Sequence, residues 1–492
     1  MAIDRHSGAR LLLLVLSVAG LAGLALAARP RKDSVPVLTP LPSISVPAPA
    51  ASDLFVSTSG HDGSAGSASD PLASLQAAVD RVAPGSTVWV EPGRYQGFGL
   101  RRGGLSGAPI TIAATTPGTA VITPFGVDST IDLVGASHVD LINLVVEGPT
   151  SGMLSAVYLE RSSAITIEGC TLRGTTGGFG VQVRFSSDVT IRDNDILHNA
   201  MGVRLYGEGD PSSVHDVLIE DNWIHDSDSM VVNDAAPNND YGANGIVWHK
   251  VTGTTIARGN KLWANRAVSH DYGYDGGAFE IWGSSNAQIV SNVAWDNENV
   301  METGSDGPDC TNISFLRNVA YAPSFGVGLI LRCARDSLIA NNVLDHLQSY
   351  AFELSDRSGG NQFATSIDGL RIENNIVVGS LAYAIRNALP ATVVLDYNVL
   401  PPRRAIASFP NGVVSVSVAA FTRATGQDSH SIAVDPAFVA ASAHDYRLRP
   451  GSPAIDRGTV VIPGETFLGA APDIGAYEGA AALPSPSPAG SG

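Results

Sequence analysis

An asparagine two residues before an apolar side chain returns at short intervals through the middle of the chain. Eight copies follow one another, at Asn194, Asn222, Asn260, Asn292, Asn318, Asn342, Asn375 and Asn398. Cys170 takes the same phase one repeat earlier, and the spacings from Cys170 onward are 24, 28, 38, 32, 26, 24, 33 and 23 residues. A short unit that keeps its phase while some copies carry insertions predicts a solenoid whose loops grow on one face.

Each unit contains short alternating segments, such as Ile165-Thr166-Ile167 and Val189-Thr190-Ile191, and lacks a sustained helical period. Alternation places every second side chain inside a strand, so one unit fits one coil of a parallel β-helix. In stacked coils an asparagine at a constant turn position can form a buried amide ladder. The stretch resembles the right-handed parallel β-helix superfamily, which implies an all-β fold.

The sequences near the two ends of the chain predict export from the cytoplasm and segments that cap the solenoid. Residues 1–28 read as a signal peptide or an N-terminal anchor, 29–52 as a Pro-rich linker, 53–480 as the β-helix domain and 481–492 as a Pro/Ser/Gly tail. An amphipathic segment with Leu72, Leu75 and Val79 resembles the N-terminal capping helix of extracellular β-helix enzymes. Motifs such as Asp435-Pro436-Ala437-Phe438 resemble the superfamily's closing segment. We therefore expect a secreted or cell-surface protein that meets a membrane only if the N-terminal segment is retained.

The composition limits the classes of partner that the chain can bind. The formal net charge is −17, which argues against nucleic acid as a ligand. Cys310 and Cys333 lie about one coil apart, so a disulfide between adjacent coils is sterically plausible in an oxidising compartment. The chain is expected to be a monomer with a polysaccharide partner.

Outward positions of the repeat form a row that is suited to sugar recognition. In coils without apparent insertions, counting twelve residues back from the ladder position gives Tyr158, Gln182, Glu280 and Ile330. Matching the local pattern in the remaining coils adds Arg204, Val247 or Trp248, Glu302, Glu353 and Arg386. Two long insertions, 226–244 and 266–277, interrupt the middle of this row and are rich in Asp, Asn and Tyr. Loops of such length in a regular array are usually functional. The predicted substrate-binding residues are Tyr158, Gln182, Arg204, Trp248, His270, Tyr272 and Arg332.

Glu280 and Glu302 lie 22 residues apart in the same phase, so their backbones should be ~5 Å apart. Two carboxylates this close repel, and a cation would relieve the repulsion. One interpretation adds Asp271 and Asp275 to form a Ca²⁺ site. Lys250 or His249, at the end of the preceding strand, would then remove the C5 proton of a uronate in a β-elimination.

The order Asn244-Gly-Ile-Val-Trp-His-Lys250, followed one coil later by Asp275-Gly-Gly-Ala-Phe-Glu280, resembles family 9 polysaccharide lyases. These are pectate lyases with a lysine base on one coil and an aspartate-rich calcium site on the next. The resemblance implies a Ca-dependent uronan lyase. Lys250 is displaced by about one residue from the expected phase, and the family's Asp-Asp-Gly-aromatic-Asp motif differs here.

Two other functions fit the same residues. Glu280 and Glu302 would serve a glycoside hydrolase as acid and base or nucleophile, or would serve an epimerase. A non-catalytic polysaccharide-binding surface protein needs only the outer face. No Cys/His zinc spacing, phosphate loop or serine nucleophile motif is visible in the sequence.

Overall fold

The computed structural model describes residues 38–479 except 39, 43, 127–128 and 322–325. Within these residues, three long sheets wind into a right-handed parallel β-helix, as predicted. Each coil gives one strand to the first sheet, then one to the third and one to the second. The predicted signal or anchor (1–28), the beginning of the predicted linker and the predicted tail (481–492) lie outside the described residues.

The three sheets contain 13 strands each. The strands of the first sheet are Leu54–Val56, Thr87–Val90, Ile110–Ala114, Ser137–Ile142, Ser163–Glu168, Ser187–Arg192, His215–Glu220, Thr255–Arg258, Ala287–Val290, Ser314–Leu316, Leu338–Ala340, Arg371–Glu373 and Val394–Asp396. Those of the second sheet are Phe98–Leu100, Ile131–Val134, Ser155–Glu160, Phe179–Arg184, Met201–Tyr206, Asn244–His249, Gly277–Trp282, Asn299–Gly304, Val327–Leu331, Tyr350–Leu354, Leu381–Ile385, Ala407–Ser408 and Val414–Ser415. Those of the third sheet are Gly93–Gln96, Ala120–Thr123, Val145–Glu147, Thr171–Arg173, Asp195–Leu197, Trp223–His225, Lys261–Trp263, Val293–Trp295, Val319–Tyr321, Val343–Asp345, Ile376–Val378, Val399–Leu400 and Ile432–Ala433.

The remaining elements are short. Three antiparallel hairpins pair Met230–Val232 with Tyr241–Gly242, Ala267–Ser269 with Gly273–Asp275, and Phe438–Ala440 with Asp445–Leu448. The α-helices are Leu75–Arg81 and Val418–Thr425, and the 3₁₀ turns are Arg357–Gly359, Pro410–Gly412 and Ala441–Ala443. Among the described residues, no helix is both long enough and apolar enough to cross a membrane.

The predicted asparagine ladder is confirmed. It lies at the turn between the first and third sheets, where all eight side chains are buried. At Asn292, for example, the backbone N–H and the side-chain Nδ2 both donate to Oδ1 of Asn318, at 2.8 and 3.0 Å. The Nδ2 also donates to the Ala257 carbonyl of the coil on the other side. Each amide therefore bonds to both neighbouring coils, which fixes their register.

A second, shorter ladder occupies the turn between the third and second sheets, where both long insertions leave the coil. Asn265 donates from its backbone N–H and Nδ2 to Oδ1 of Asn297, and its own Oδ1 accepts from the Ser227 N–H. Both asparagines are buried. The coil is thus closed beneath the insertions by the same chemistry that closes it at the first turn.

The two ends of the solenoid carry short helices. In the helix Leu75–Arg81, Ser74 is the N-cap, and Leu75, Ala78 and Val79 are buried against the first strands. In the helix Val418–Thr425, the buried Phe421 stacks on Tyr383 with ring centroids 5.4 Å apart. Both helices therefore cover core side chains at an end where the next coil is missing.

A stack of parallel rings runs along the outer face of the third sheet. Trp263 lies 4.0 Å from His225 and 4.8 Å from Trp295 between ring centroids, and Tyr321 continues the stack. The C-terminal hairpin covers it, and Leu38 of the predicted linker packs on the same cluster. The tryptophans therefore pack within the structure, on the third sheet.

The predicted disulfide is present between Cys310 and Cys333, whose Cα atoms are 5.1 Å apart. It joins the loop after strand Asn299–Gly304 to the end of the next strand of the second sheet. Cys170 is buried at its ladder position, where its N–H donates to Asn194 Oδ1. The disulfide therefore fixes two coils that carry predicted site residues.

Asp428 gives a testable link between pH and stability. Its carboxyl is buried at the end of the asparagine ladder and accepts from Ser431, Asn398 and Tyr383. Burial raises the pKa of Asp428 to about 7. The folded protein therefore holds a proton between roughly pH 4 and 7 that the unfolded chain releases, so stability falls as pH rises through this window.

The unfolding free energy of the wild type should decrease between about pH 5 and pH 8. Because Asp428→Asn cannot ionise, we expect this decrease to be smaller in the variant by roughly 1–3 kcal/mol. Urea denaturation at the two pH values measures the difference. An unchanged decrease in the variant would contradict the prediction.

Candidate functional site

The predicted outward row lies on the second sheet. Its members are register partners on successive strands, in the order Tyr158, Gln182, Arg204, Val247, Glu280, Glu302, Ile330 and Glu353. The next position is Ala384, with Arg386 two residues further along. Counting twelve residues back from the ladder therefore found Tyr158, Gln182, Glu280 and Ile330, but at the last coil Arg386 was predicted where the structure has Ala384. In the coils with insertions, the local strand pattern was needed as well.

Trp248 was predicted to bind substrate, and this is wrong. The indole is fully buried in the core, and its Nε1 donates to Thr255 Oγ1 at 2.8 Å. Val247 is the residue that faces outward, in register with Glu280. Side chains alternate along a strand, so an error of one residue moves a side chain to the opposite face.

A cleft of about 740 Å³ lies over the middle of the row. One wall comes from the two insertions, and the other comes from the loop that follows strand Tyr350–Leu354. The lining residues that matter most are Arg204, Tyr241, Asn244, His249, Tyr272, Tyr274, Asp275, Glu280, Trp282, Glu302, Arg332, Tyr350 and Phe363. Carboxylates, cations and hydroxyl groups therefore meet in one concave site, which is typical of a ligand-binding pocket.

The acidic pair lies at the floor of the cleft. Glu280 and Glu302 are direct partners on neighbouring parallel strands. Burial raises the pKa of Glu280 to about 8, and the charges of Asp275 and Glu302 add to the shift. Burial also raises the pKa of Glu302, although the positive charge of Arg332 opposes it. Glu280 is thus protonated at neutral pH and accepts a hydrogen bond from Asn244 Nδ2.

Arg332 holds the second carboxylate of the pair. Its guanidinium lies 2.6 Å from Glu302 and 3.4 Å from Glu353. Glu353 is buried and is also bound by Arg386. Because both arginines share Glu353, the network fixes Arg332 and, through it, the orientation of Glu302.

Arg204 faces the other end of the cleft. Its guanidinium carbon lies 4.8 Å from the ring centroids of both Phe179 and Tyr206. The Nε is buried and makes no hydrogen bond, and among the described residues Arg204 has no carboxylate within ion-pair distance. Burial lowers the pKa of this guanidinium. An anionic ligand would supply the partner that the protein does not.

His249 and Lys250 were both predicted as possible bases, and they lie in different places. His249 lines the cleft and stacks on Tyr206, with centroids 5.2 Å apart. Burial and the charges of Arg204 and Lys250 lower the pKa of His249 to about 4, so the imidazole is neutral. Lys250 follows the strand with φ of 53°, and its Nζ lies 3.4 Å from Asp306. Lys250 is not among the residues that line the cleft.

Two aspartates join the insertions into one wall. The Asp240 carboxylate accepts from the Asp271 N–H and from Ser269 Oγ. The Asp271 carboxylate in turn accepts from the N–H groups of Asn239 and Asp240. His270 is exposed at the outer tip, whereas Tyr272 reaches the cleft. The wall is therefore held by reciprocal bonds between the loops.

The predicted calcium ligands Asp271, Asp275, Glu280 and Glu302 do not form one donor set. Asp271 is bound to backbone N–H groups of the neighbouring loop, and Glu302 is bound to Arg332. In the described part of the chain, no three His, Cys, Asp or Glu side chains are arranged to hold a metal ion. Calcium needs six to eight oxygen ligands, so no catalytic step is assigned to it.

Several lining residues were missed by sequence reasoning. Trp282 has the same strand parity as Glu280, and a systematic reading of every outward position would have found it. Asn244 has the parity of the buried Ile246 and Trp248, and Tyr241 lies in a hairpin of the first insertion, so alternation does not signal either residue. Phe363 packs edge-on against Trp282, at 5.1 Å between centroids, from a loop 81 residues further along the chain. No repeat pattern signals that contact.

Comparison with known proteins gives the same architecture. A family model described as the Pel9A-like right-handed beta helix region matches residues 54–310, which is more than half of the chain. Pectate lyase PEL9 of Emericella nidulans is 28% identical over 165 residues, which are 30% of this chain and 39% of that protein. The matched region thus spans about two fifths of that relative's length.

The solved structures to which this chain is similar include pectate lyase Pel9A, with 16% identity, a TM-score of 0.47, and coverage of 87% of this chain and 96% of that one. The A-module of mannuronan C-5 epimerase AlgE4 from Azotobacter vinelandii has 16% identity and a TM-score of 0.47, and the match covers 71% of this chain and 91% of that one. On the extent of the family match, this chain belongs to the Pel9A-like right-handed β-helix family.

Proposed function

We propose that this protein is a lyase-type enzyme that cleaves a uronate-containing polysaccharide in the cleft of the second sheet. Membership of the Pel9A-like family and similarity to a pectate lyase support the lyase class. The observation that carries the substrate class is Arg204, a guanidinium that lines the cleft without a carboxylate partner. A uronate carboxylate matches both its charge and its geometry.

The residues suit β-elimination in the following way. Arg204 binds the uronate carboxylate and makes the adjacent C5 proton more acidic. Glu302 takes that proton, and the C5–H electron pair forms the C4–C5 double bond as the C4–O bond breaks. Glu280, which is protonated at neutral pH, gives its proton to the leaving oxygen. Arg332 opposes the burial that raises the pKa of Glu302, and it orients this carboxylate.

A glycoside hydrolase is the second candidate, and one observation favours it. Glu280 and Glu302 are register partners, so their strands lie ~4.8 Å apart, close to the ~5–5.5 Å between the carboxyl groups of retaining glycosidases. Burial raises the pKa of Glu280 to about 8, as an acid requires, whereas the positive charge of Arg332 favours the ionised form of Glu302, as a nucleophile requires.

The product distinguishes these functions. Polygalacturonate, alginate and a neutral glycan would be incubated with the protein, with added Ca²⁺ and with a chelator. Ultraviolet absorbance of the C4–C5 double bond, on an acidic polymer only, is the expected result. New reducing ends without that absorbance would establish the hydrolase. If both signals are absent, the remaining assignment is a non-catalytic binding protein. A calcium requirement stays a prediction that the chelated sample tests.

Lys250 provides a sharper test of which residue is the base. We expect Lys250→Ala to keep activity close to that of the wild type, because the ammonium is paired with Asp306 and lies outside the cleft lining. Loss of a general base costs about 10²–10⁴-fold in rate. A decrease of that size in Lys250→Ala would instead identify the lysine as the base.

We also propose that the protein works outside the cytoplasm. The N-terminal sequence supports export, and the disulfide between Cys310 and Cys333 is of the kind that persists in oxidising compartments. Fractionation of the producing cells, with detection of the protein by antibody, tests the location. Recovery from the cytoplasm would contradict it.

A further inference from the structure

A row of polar and aromatic side chains runs beside the cleft along the C-terminal ends of the second-sheet strands. Glu160, Arg184, Tyr206, His249 and Trp282 are register partners on five consecutive strands. Only His249 and Trp282 of this row line the cleft. The other three residues extend from the cleft toward the N-terminal coils.

Stacking holds these side chains in order. The Arg184 guanidinium lies 4.9 Å from the Phe185 ring and 5.3 Å from the Tyr206 ring. Tyr206 in turn stacks on His249, with 25° between the ring planes. Such contacts use the flat faces of the groups. Arg184 also hydrogen-bonds to Tyr158 and lies 3.8 Å from Glu208, so only some of its N–H groups, together with the Tyr206 hydroxyl, remain for a ligand.

The charge on this surface is unusual for the chain. Arg161, Arg184 and Arg204 come from three consecutive coils of a protein whose net charge is −17. Arg161 is paired with Glu160, but the nearest acid to Arg184 is the exposed Glu208 at 3.8 Å. Since Arg204 has no carboxylate partner among the described residues, cationic groups prevail at the end nearest the cleft.

We propose that Arg161, Arg184, Arg204 and Tyr206 form a track that binds the part of an acidic polysaccharide extending from the cleft toward the N-terminal coils. The ~4.8 Å step between coils is close to the length of one sugar, so successive coils can contact successive units. Tyr158 and Gln182 lie on the same coils, which places two predicted substrate-binding residues beside the track although they are absent from the cleft lining.

The polymer then lies parallel to the solenoid axis. Its affinity rises with each sugar that is added on the N-terminal side of the cleft, and sugars on the other side add nothing. The acidic nature of the polymer rests on the proposed function, whereas its direction rests on the position of the track. Arg204 lines the cleft, where the track begins, whereas Arg161, Arg184 and Tyr206 lie outside the cleft lining. These three residues carry no part of the chemistry, so they act on binding of long chains and not on the bond-breaking step.

The test uses the Glu280→Gln protein, which binds without cleaving, and oligogalacturonates of increasing length. Calorimetry at low salt should give affinities that rise with length. Adding Arg161→Gln and Arg184→Gln should reduce affinity for long oligomers about tenfold and leave the shortest binders unchanged, and added salt should reduce the difference. The control is Arg258→Gln, an exposed arginine paired with Glu220 on the first sheet, which should change nothing.

The outcomes separate the track from the proposed function. The track is contradicted if short oligomers bind but longer ones bind with no higher affinity. It is also contradicted if the control variant loses as much affinity as the double variant. In both cases the assignment of the cleft as the substrate site stands. If no acidic oligomer of any length binds, the substrate class in the proposed function fails as well.

Discussion

Glu280→Gln and Glu302→Gln are each expected to lower kcat on an acidic polysaccharide by about 10²–10⁴-fold, the usual contribution of a positioned acid or base. Glutamine keeps the size of the side chain but can neither give nor accept the proton. The two residues are partners on adjacent strands of the cleft floor, so they act on neighbouring atoms of one substrate. Initial rates of product formation, with unchanged circular dichroism, measure the effect.

The control for this prediction is Glu220→Gln. Glu220 is a partly buried glutamate on the first sheet that pairs with Arg258, away from the cleft. It should keep wild-type activity. If all three variants were equally active, the acidic pair would have no catalytic role, and the cleft would be assigned to binding alone.

Asn318→Ala should cause the largest loss of stability. Asn318 Oδ1 accepts two hydrogen bonds from Asn292, and its Nδ2 donates to the Ile289 carbonyl and to Asn342 Oδ1. Alanine leaves these buried groups without partners, and each unmet group costs about 1–3 kcal/mol. We expect the unfolding free energy in urea to fall by roughly 3–6 kcal/mol.

Gln288→Ala is the matched amide control. Gln288 is exposed on the strand Ala287–Val290, four residues before the ladder position Asn292 of the same coil. An exposed substitution of this kind usually changes stability by less than about 0.5 kcal/mol. Equal losses in the two variants would show that the buried ladder contributes no more than an exposed amide.

The fold was predictable because one chemical requirement is repeated along the chain. Asn292 and Asn318 each need a partner one coil away, and that need fixes a position in every coil whatever the loop length. Once the ladder was located, counting placed Glu280 and Glu302 side by side. The same counting failed at Trp248, where a single residue decides between the core and the surface.

The site was less predictable because its walls do not repeat. Asn244 bonds to Glu280 over 36 residues, and Asp240 bonds to Asp271 between two unrelated insertions. Lys250 follows the strand next to that of Glu280, but the turn that ends its strand brings its ammonium to Asp306. Such contacts depend on loop conformation, for which a period gives no information.

The two asparagine ladders also have an evolutionary consequence. The longest interval, from Asn222 to Asn260, closes with the same amide bonds as the shortest ones. A loop between the third and second sheets can therefore lengthen, shrink or be exchanged without shifting the strands that carry Glu280 and Glu302. Selection can alter the wall of the cleft while the acidic pair on its floor stays in place, and a protein engineer can replace that wall with a foreign loop in the same way.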